Sequence, residues 1–341
     1  MPGRWHRAAN CQGTGFPGGE VSRWFAGRAV QAAVTWAVAL TLLFFLMRLT
    51  PGDPLARLAA DRPLPPAAVQ ELRHLYGLDR PLLAQYTTFL GGVVRGDLGV
   101  SIQFGLPVST LIAERLPATV LLGGVVLVID FTLGLWLGVL QARDRGGRLD
   151  RWLGNAALTA YAVPSFWIGL CFVWLGALTW HAFPVAGMTD PLATAAGPWA
   201  HALDIGHHLV LPALTLVVAT IAVTMLLHRN ALLEALDADW LRTARAKGLP
   251  ESTVLRRHAW RTALGPVIAL LGLWLPMLVT GAVFTEAVFA WPGLGSLAAD
   301  AVIARDYPLA MGCAALVATL VVLGNLAADL LHAALDPRVR P

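Results

Sequence analysis

Charged residues are scarce in this chain of 341 residues, in which Asp, Glu, Lys and Arg together make up 13% and hydrophobic residues 57%. A typical soluble domain has about 25% charged residues and scatters its apolar positions. Here the apolar residues stand in long blocks, and the mean hydropathy is +0.63. The composition excludes an ordinary soluble globular protein and predicts a polytopic membrane protein.

Cysteine is also rare, with Cys11, Cys171 and Cys313 as the full set. Three cysteines make neither a disulfide framework nor a spaced metal motif. The sequence has no detectable internal repeat, heptad run or low-complexity tract, so nothing indicates a repeat protein or a coiled coil.

Lysine occurs once, at Lys247. The residues around it, 242–249, lack the glycines whose amides would wrap a phosphate, so the chain is not expected to hydrolyse ATP. The run 293–298 partly matches a dinucleotide fingerprint, but it lacks a preceding strand and a suitably spaced acid. We interpret those glycines as a turn at the outer membrane surface. The sequence shows no cluster of catalytic groups, so we expect a protein that is not an enzyme.

A helix needs about 20 mainly apolar residues to cross a bilayer. Six stretches meet this requirement: Ala29 to Met47, Ala118 to Leu140, Trp152 to Leu178, Leu209 to Leu227, Leu264 to Phe284, and Leu309 to Ala328. The first follows a basic leader without a small-residue cleavage site, which favours a retained span over a signal peptide. The expected fold is all-α, with six transmembrane helices.

The short loops predict the orientation. Residues 141–151 and 228–262 are rich in arginine, whereas residues 179–208 contain no Lys or Arg. The positive-inside rule then places both termini and residues 228–262 in the cytoplasm. This orientation explains the net charge of +4, so the charge does not indicate a nucleic-acid partner. The long segment between the first two stretches is expected outside, as short helices broken at Pro63, Pro65, Pro66, Pro81 and Pro107.

Residues 237–265 form a basic unit between two apolar stretches. Asp237 and Asp239 suit a helix N-terminus, and Arg242, Arg245 and Lys247 suit its C-terminus. Gly248 can end that helix in the left-handed conformation, and Pro250 suits the first turn of the next. The pattern predicts helix, glycine turn, helix. It fits a docking element for a partner and also an amphipathic connector resting on lipid headgroups.

This unit resembles the cytoplasmic coupling loop of permease subunits in bacterial ATP-binding-cassette (ABC) importers, in the branch that imports dipeptides, oligopeptides and nickel. The resemblance rests first on Thr243-Ala-Arg-Ala-Lys-Gly248. Further matches are Thr50-Pro-Gly-Asp-Pro54, Tyr76-Gly-Leu-Asp79, Gly96-Asp-Leu-Gly99, Glu286-Ala-Val-Phe289, Pro292-Gly-Leu-Gly295, Arg305-Asp-Tyr-Pro308, Asn325, Asp329 and Leu335-Asp-Pro-Arg338. Together these motifs span about residues 48–340.

The resemblance implies a permease subunit in the bacterial inner membrane. Its expected partners are a second, different permease chain, two cytoplasmic ABC ATPases and an extracytoplasmic substrate-binding protein. This chain would bind no cofactor, because the partner ATPases hydrolyse ATP with Mg²⁺. The implied ATPase-coupling residues are Asp239, Arg242, Thr243, Ala244, Arg245, Ala246, Lys247, Gly248, Leu249, Val254 and His258.

The apolar stretches, the predicted orientation and the resemblance together divide the chain into five parts. They are a cytoplasmic leader (1–28), a first transmembrane helix (29–48), an external segment (49–117), a permease core (118–333, with its coupling loop at about 229–263) and a cytoplasmic tail (334–341).

Four residues are candidates for the transport pathway or an outer gate: Asp130, Glu286, Phe289 and Pro292. Asp130 lies midway through the second stretch, where a carboxylate must face protein or water. It fits a hydrogen bond to a neighbouring helix or a place along the pathway. Glu286 fits an outer gate, a contact with the binding protein, or an exposed interfacial position. Pro164 and Pro212 are expected to kink their spans.

The substrate is not encoded in an obvious motif. Imidazole suits nickel, and His181, His201, His207 and His208 flank the loop 179–208, but their spacing is not a ligand motif. We therefore expect a peptide substrate, with nickel or another small solute as the alternative. An ion-coupled secondary transporter would show intramembrane ionisable pairs and an inverted repeat, and this chain shows neither.

Overall fold

The computed structural model describes residues 18–49, 65–191, 197–250, 253–280 and 283–335. Its helices are α1 (Gly18–Leu49), α2 (Pro66–Leu75), α3 (Leu82–Arg95), α4 (Val108–Arg143), α5 (Arg148–Ala162), α6 (Ser165–Phe172), α7 (Pro198–Asp237), α8 (Asp239–Ala246), α9 (Trp260–Thr280), α10 (Val283–Val288), α11 (Leu294–Ala304) and α12 (Tyr307–Leu335). Two wider π-helical segments, Val173–Thr179 and Val254–Ala259, extend α6 and lead into α9. The described part of the chain contains no β-strand, so the predicted all-α fold is confirmed.

Within the described ranges, four helices are long and apolar enough to cross a membrane: Phe25–Leu49 within α1, then α4, α7, and Tyr307–Ala327 within α12. A fifth crossing results if α5 and the α6 segment are counted as one bent span. The fifth predicted stretch corresponds to α9, a helix of 21 residues. The structure therefore confirms a polytopic helical membrane protein, while the count of six spans is not confirmed.

The third predicted stretch is not one straight helix. It breaks at Val163 and Pro164, where the axes of the two halves differ by 101°. Val163 has an extended ψ of 133°, as expected for a residue preceding proline. Pro164 thus separates two helices, whereas Pro212 lies within the continuous helix α7.

In its described residues, the segment predicted to lie outside contains the short helices α2 and α3, and three of the expected prolines stand directly before a helix. Pro65 precedes α2, Pro81 precedes α3 and Pro107 precedes α4, while Pro63 lies outside the described residues. The expected boundary between residues 117 and 118 falls inside α4, because the helix continues through Pro117. Likewise α1 begins at Gly18, so part of the predicted leader is helical.

Helices α4 and α7 form the centre of the fold. They have 36 and 40 residues, which corresponds to lengths of about 54 and 60 Å at 1.5 Å per residue. Both exceed the hydrocarbon thickness of about 30 Å, so they project beyond the bilayer. Helix α9 packs against α7, α4 and α12, and α1 packs against α12.

Candidate functional site

Helix α8 is the first half of the predicted docking unit. Asp239 lies in its first turn and Arg245 in its last turn, as the helix dipole favours. The chain then turns at Gly248, whose φ is +77°. The Gly248 amide donates to the Arg245 carbonyl at 2.9 Å, which closes the helix end. This is the left-handed glycine stop that the sequence predicts.

One face of α8 packs inward. Leu241 and Val254 are fully buried, and they form a small hydrophobic core with Ala235, Ala244 and Ala259. Ala244 and Val254 belong to the predicted coupling residues, but their side chains lie inside this core. Their contribution is to hold the two segments of the unit together, because a buried side chain cannot contact a partner.

The opposite face of α8 is exposed and basic. The exposed residues of α8 and of the turn that follows it are Asp239, Trp240, Arg242, Thr243, Arg245, Ala246, Lys247, Gly248 and Leu249. Arg242 pairs with Asp239 at 3.3 Å, but both side chains are largely exposed, so this ion pair contributes little to stability. The unit therefore presents a basic ridge on its own apolar support. A helix resting on lipid turns its apolar face toward the membrane, whereas Leu241 and Ala244 face the protein.

His258 is the last predicted coupling residue. Its backbone lies in the π-helical segment Val254–Ala259, and its side chain lies outside the described part of the structure.

Asp130 is completely buried in the seam between α4 and α7. Thr220 Oγ1 donates to Asp130 Oδ1 at 2.9 Å, and Thr224 Oγ1 donates to Asp130 Oδ2. The carboxylate therefore bonds to a neighbouring helix, which is the first of the two roles considered for it. These bonds offset part of the cost of burying a charged group among apolar helices.

Two glycines continue this seam at intervals of four residues. A Cβ at Gly134 would lie 3.0 Å from Thr224 Cβ, and a Cβ at Gly138 would lie 2.8 Å from the Met225 carbonyl oxygen. Small residues spaced in this way let two membrane helices approach backbone to backbone. The seam thus joins α4 and α7 tightly from Asp130 to Gly138.

Glu286 is completely buried, which rules out the exposed interfacial position, one of the three alternatives considered for it. Thr119 Oγ1 donates to Glu286 Oε1 at 3.0 Å, and the Ser296 amide donates to Glu286 Oε2 at 2.9 Å. Ser296 lies in the first turn of α11, so the carboxylate satisfies an otherwise unbonded amide at that helix N-terminus. Glu286 therefore connects α4, α10 and α11.

The glycines after Glu286 are explained by this contact. A Cβ at Gly293 would overlap the Glu286 carboxylate, and one at Gly295 would lie 2.9 Å from Glu286 Oε2. The partial match to a dinucleotide fingerprint therefore reflects close packing around a buried carboxylate. The predicted turn is present between α10 and α11.

Phe289 and Pro292 lie in the same turn as Glu286. Phe289 is buried against Ala177 and Leu211, and Pro292 is half-buried. Trp291, between them, donates from Nε1 to the Ala118 carbonyl at 2.9 Å. The structure brings three of the four pathway candidates together, whereas Asp130 lies separately in the seam of α4 and α7.

The carboxylate of Asp306 joins two distant segments of the chain. Asp306 of the Arg305–Pro308 motif is buried, and its carboxylate accepts bonds from Ser101 Oγ and from the amides of Gln103 and Leu309. This carboxylate caps the start of α12 and holds the loop that precedes α4. In the Tyr76–Asp79 motif, the neighbouring His74 ring accounts for a lowered pKa of the exposed Asp79 carboxyl.

The four loop histidines do not assemble into one site. His207 bonds to the Ala182 carbonyl at 2.8 Å, and His208 contacts Asp204 at 3.1 Å. Among the described residues, no group of three or more His, Cys, Asp or Glu side chains could hold a metal ion.

The sequence interpretation misses one ion pair near the docking unit. From the sequence, Arg229 serves only as evidence for the positive-inside orientation. In the structure, its guanidinium forms two hydrogen bonds with the buried carboxylate of Asp150. These residues are 79 positions apart, so no local pattern connects them. The signal that could have revealed this ion pair is an acidic residue, Asp150, within an arginine-rich loop.

Comparison with known families covers nearly the whole chain. The model of the binding-protein-dependent transport system inner membrane component matches residues 133–341. A second model, for the N-terminal part of such membrane components, matches residues 21–123.

Curated relatives agree with this match. The chain is 37% identical over 320 residues to the dipeptide transport system permease protein DppB of Escherichia coli strain K12, covering 89% of this chain and 94% of the relative. It is 39% identical over 304 residues to the oligopeptide transport system permease protein AppB of Bacillus subtilis, with the same coverage. The di/tripeptide transport system permease protein DppB of Pseudomonas aeruginosa is 36% identical over 330 residues, with 93% and 98% covered.

Proposed function

Because the chain belongs to the family of inner membrane components of binding-protein-dependent transport systems, we propose that it is the permease subunit of an ABC importer for dipeptides or oligopeptides. The family and the apolar helices make it a multi-pass inner membrane protein. The peptide substrate is inferred from the relatives, whose names describe dipeptide, oligopeptide and di/tripeptide transport.

The observation that carries the proposal is the basic ridge of α8 on its own hydrophobic support. Its charged side chains are exposed, while Leu241 and Val254 lock the two segments beneath them. Such a unit can seat in a groove of an ATPase subunit and move with it as one body. The predicted coupling role is therefore assigned to the exposed residues Arg242, Thr243, Arg245, Ala246, Lys247, Gly248 and Leu249, with Asp239 paired beside them.

The proposed mechanism requires no covalent chemistry in this chain. Two cytoplasmic ATPases hydrolyse ATP with Mg²⁺, and their movement displaces α8. Helix α8 follows α7 after the single residue Ala238, so its displacement tilts α7. The seam at Gly134 and Gly138 carries that tilt to α4, as in a hinge or shear motion. A second, different permease supplies the other half of the pathway, and an extracytoplasmic binding protein delivers the peptide.

This mechanism requires α8 to face the cytoplasm, with both termini on the same side. The arginine-rich loops support this orientation.

The test is peptide uptake by the purified complex in liposomes. The binding protein and the labelled dipeptide are placed together on the side of the membrane from which import starts. We expect uptake that requires both ATP and the ATPase subunits. As a matched control, the same liposomes receive proton and sodium gradients without ATP. Uptake driven by either gradient in the absence of ATPase subunits would overturn the proposal in favour of a secondary transporter.

A further inference from the structure

Residues 144–150, here called the clip loop, comprise the connection from α4 to α5 and the first turn of α5, which carries Asp150. Arg229 Nε donates to Asp150 Oδ1 at 2.6 Å, and Arg229 Nη2 donates to Asp150 Oδ2. The Asp150 side chain is 5% exposed and that of Arg229 is 22% exposed. A two-bond guanidinium–carboxylate pair fixes orientation as well as distance.

Asp150 also organises the clip loop itself. The Gly146 amide donates to Asp150 Oδ2 at 2.9 Å, and the buried side chain of Gln141 donates to the Asp150 carbonyl at 3.0 Å. Gln141 belongs to α4 and Arg229 belongs to α7. Three parts of the chain, α4, the clip loop and α7, therefore meet at one residue.

A second ion pair attaches the clip loop closer to α8. Arg145 Nη1 lies 2.9 Å from Asp237 Oδ2 and 3.1 Å from Asp237 Oδ1, and both side chains are exposed. Residues 229 and 237 are eight positions apart on α7, which is about 12 Å along the helix axis. Asp237 ends α7, and Asp239 begins α8. The two ion pairs thus bracket the last two turns of α7 before the basic ridge.

We propose that the clip loop is a second part of the coupling apparatus, and that Asp150 and Arg229 are positioning residues within it. This inference rests on the proposed function, in which α8 follows the ATPase. The seam of Gly134 and Gly138 joins α4 to α7 within the helical core, and the clip loop extends that junction to the end of α7. Displacement of α8 is then delivered to α4 and α5 at once.

If Asp150 and Arg229 only stabilised the fold, an apolar pair of similar size could replace them without loss of coupling. Replacing a buried ion pair with apolar residues of similar size is often neutral for stability, but it removes the directional bonds. The decisive variants are therefore Asp150→Asn and the double replacement Asp150→Leu with Arg229→Met. Arg148→Gln is the matched control, because Arg148 is an exposed arginine of the same loop.

The experiment uses the complete complex in liposomes and measures labelled dipeptide transported per ATP hydrolysed. Each preparation also carries Ala246→Cys, and its crosslinking to the ATPase reports whether α8 is seated. We expect both decisive variants to crosslink normally and to lose about fivefold or more in transport per ATP. The Arg148→Gln control should keep the wild-type ratio.

Two results separate the inference from its premise. Normal crosslinking with a wild-type transport ratio in both decisive variants would overturn the role of the clip loop and leave the proposed function standing. Failure of Ala246→Cys to crosslink in the otherwise wild-type complex would instead overturn the proposed function.

The exposed pair supplies a second measurement if the Asp150 variants fail to assemble. Arg145→Gln removes an exposed ion pair, so it should fold normally and lower transport per ATP by about twofold relative to Arg148→Gln. Equal ratios for these two variants would overturn the inference.

Discussion

Thr119 and Glu286 are joined side chain to side chain although they lie 167 residues apart, with Thr119 Oγ1 donating to Glu286 Oε1 at 3.0 Å. The same threonine hydroxyl accepts the Leu294 amide at 2.7 Å. This chain of bonds links α4 to the start of α11 through groups that are all buried.

Removing the Glu286 carboxylate should destabilise the fold. Glu286→Ala leaves the Ser296 amide without its acceptor, at a cost of about 1–3 kcal/mol for a buried polar group. Glu286→Gln keeps one acceptor oxygen and should lose less. Thermal unfolding in detergent measures both, with Asp300→Ala as the control because Asp300 is exposed on α11. If Glu286→Ala and the Asp300→Ala control unfold at the same temperature, the buried hydrogen bonds of Glu286 do not stabilise the fold.

Replacing Gly248 tests the turn at the end of α8. A Cβ there would meet no heavy atom within 4 Å, so substitution acts through the backbone conformation and not through a clash. Gly248→Val forces a β-branched residue to a positive φ, which costs on the order of 1–3 kcal/mol. We expect this variant to insert normally but to lose coupling of ATP hydrolysis to transport. Gly248→Asn is the matched variant, because asparagine tolerates the left-handed region, and it should stay coupled.

Gly138 and Gly124 both lie on α4, and their replacement by alanine is expected to affect stability in opposite ways. A Cβ at Gly138 would lie 2.8 Å from the Met225 carbonyl oxygen, whereas a Cβ at Gly124 would meet nothing within 4 Å. Gly138→Ala should therefore separate α4 from α7 and destabilise the chain by about 1–3 kcal/mol. Gly124→Ala should be neutral or slightly stabilising, because alanine favours helix. The unfolding midpoints of the two variants are compared in detergent. Equal midpoints would contradict the close packing of α4 against α7 at Gly138.

Cysteine labelling checks the orientation. With the three native cysteines replaced, Ala186→Cys should react with an impermeant thiol reagent in intact cells, and Lys247→Cys should react after permeabilisation. Both positions are exposed in this chain, and the chain is expressed without its ATPase partners, because these would cover Lys247 in the proposed complex. The reverse pattern would put α8 on the side of the membrane without ATP and would rule out the proposed mechanism.

Local features of the fold were predictable from the sequence. Apolar runs identify membrane helices because hydropathy is a property of consecutive residues, and the glycine stop at Gly248 follows from local backbone preference. The break at Pro164 was expected only as a kink. Its 101° angle depends on what each half packs against, which the local sequence does not specify.

Long-range pairings were not predictable in the same way. Asp130 has two possible roles from its position alone, and its hydrogen-bond partners Thr220 and Thr224 lie 90 and 94 residues away in the sequence. Glu286 has three possible positions from its place after an apolar stretch, and one of them is an exposed interface. Its burial depends on Thr119 and on glycines that leave room for the carboxylate, and no periodicity within one helix reveals such a cavity.

The glycine seam also limits how this chain can be recombined with its relatives. Backbone contact at Gly138 involves Met225 and Arg229 on α7, so the two helices match each other atom by atom. A chimaera that takes α7 and α8 from another permease would inherit a surface shaped for a different α4. Exchanging α4, the clip loop, α7 and α8 as one block preserves that match, which makes this block the natural unit for grafting a new ATPase preference onto the chain.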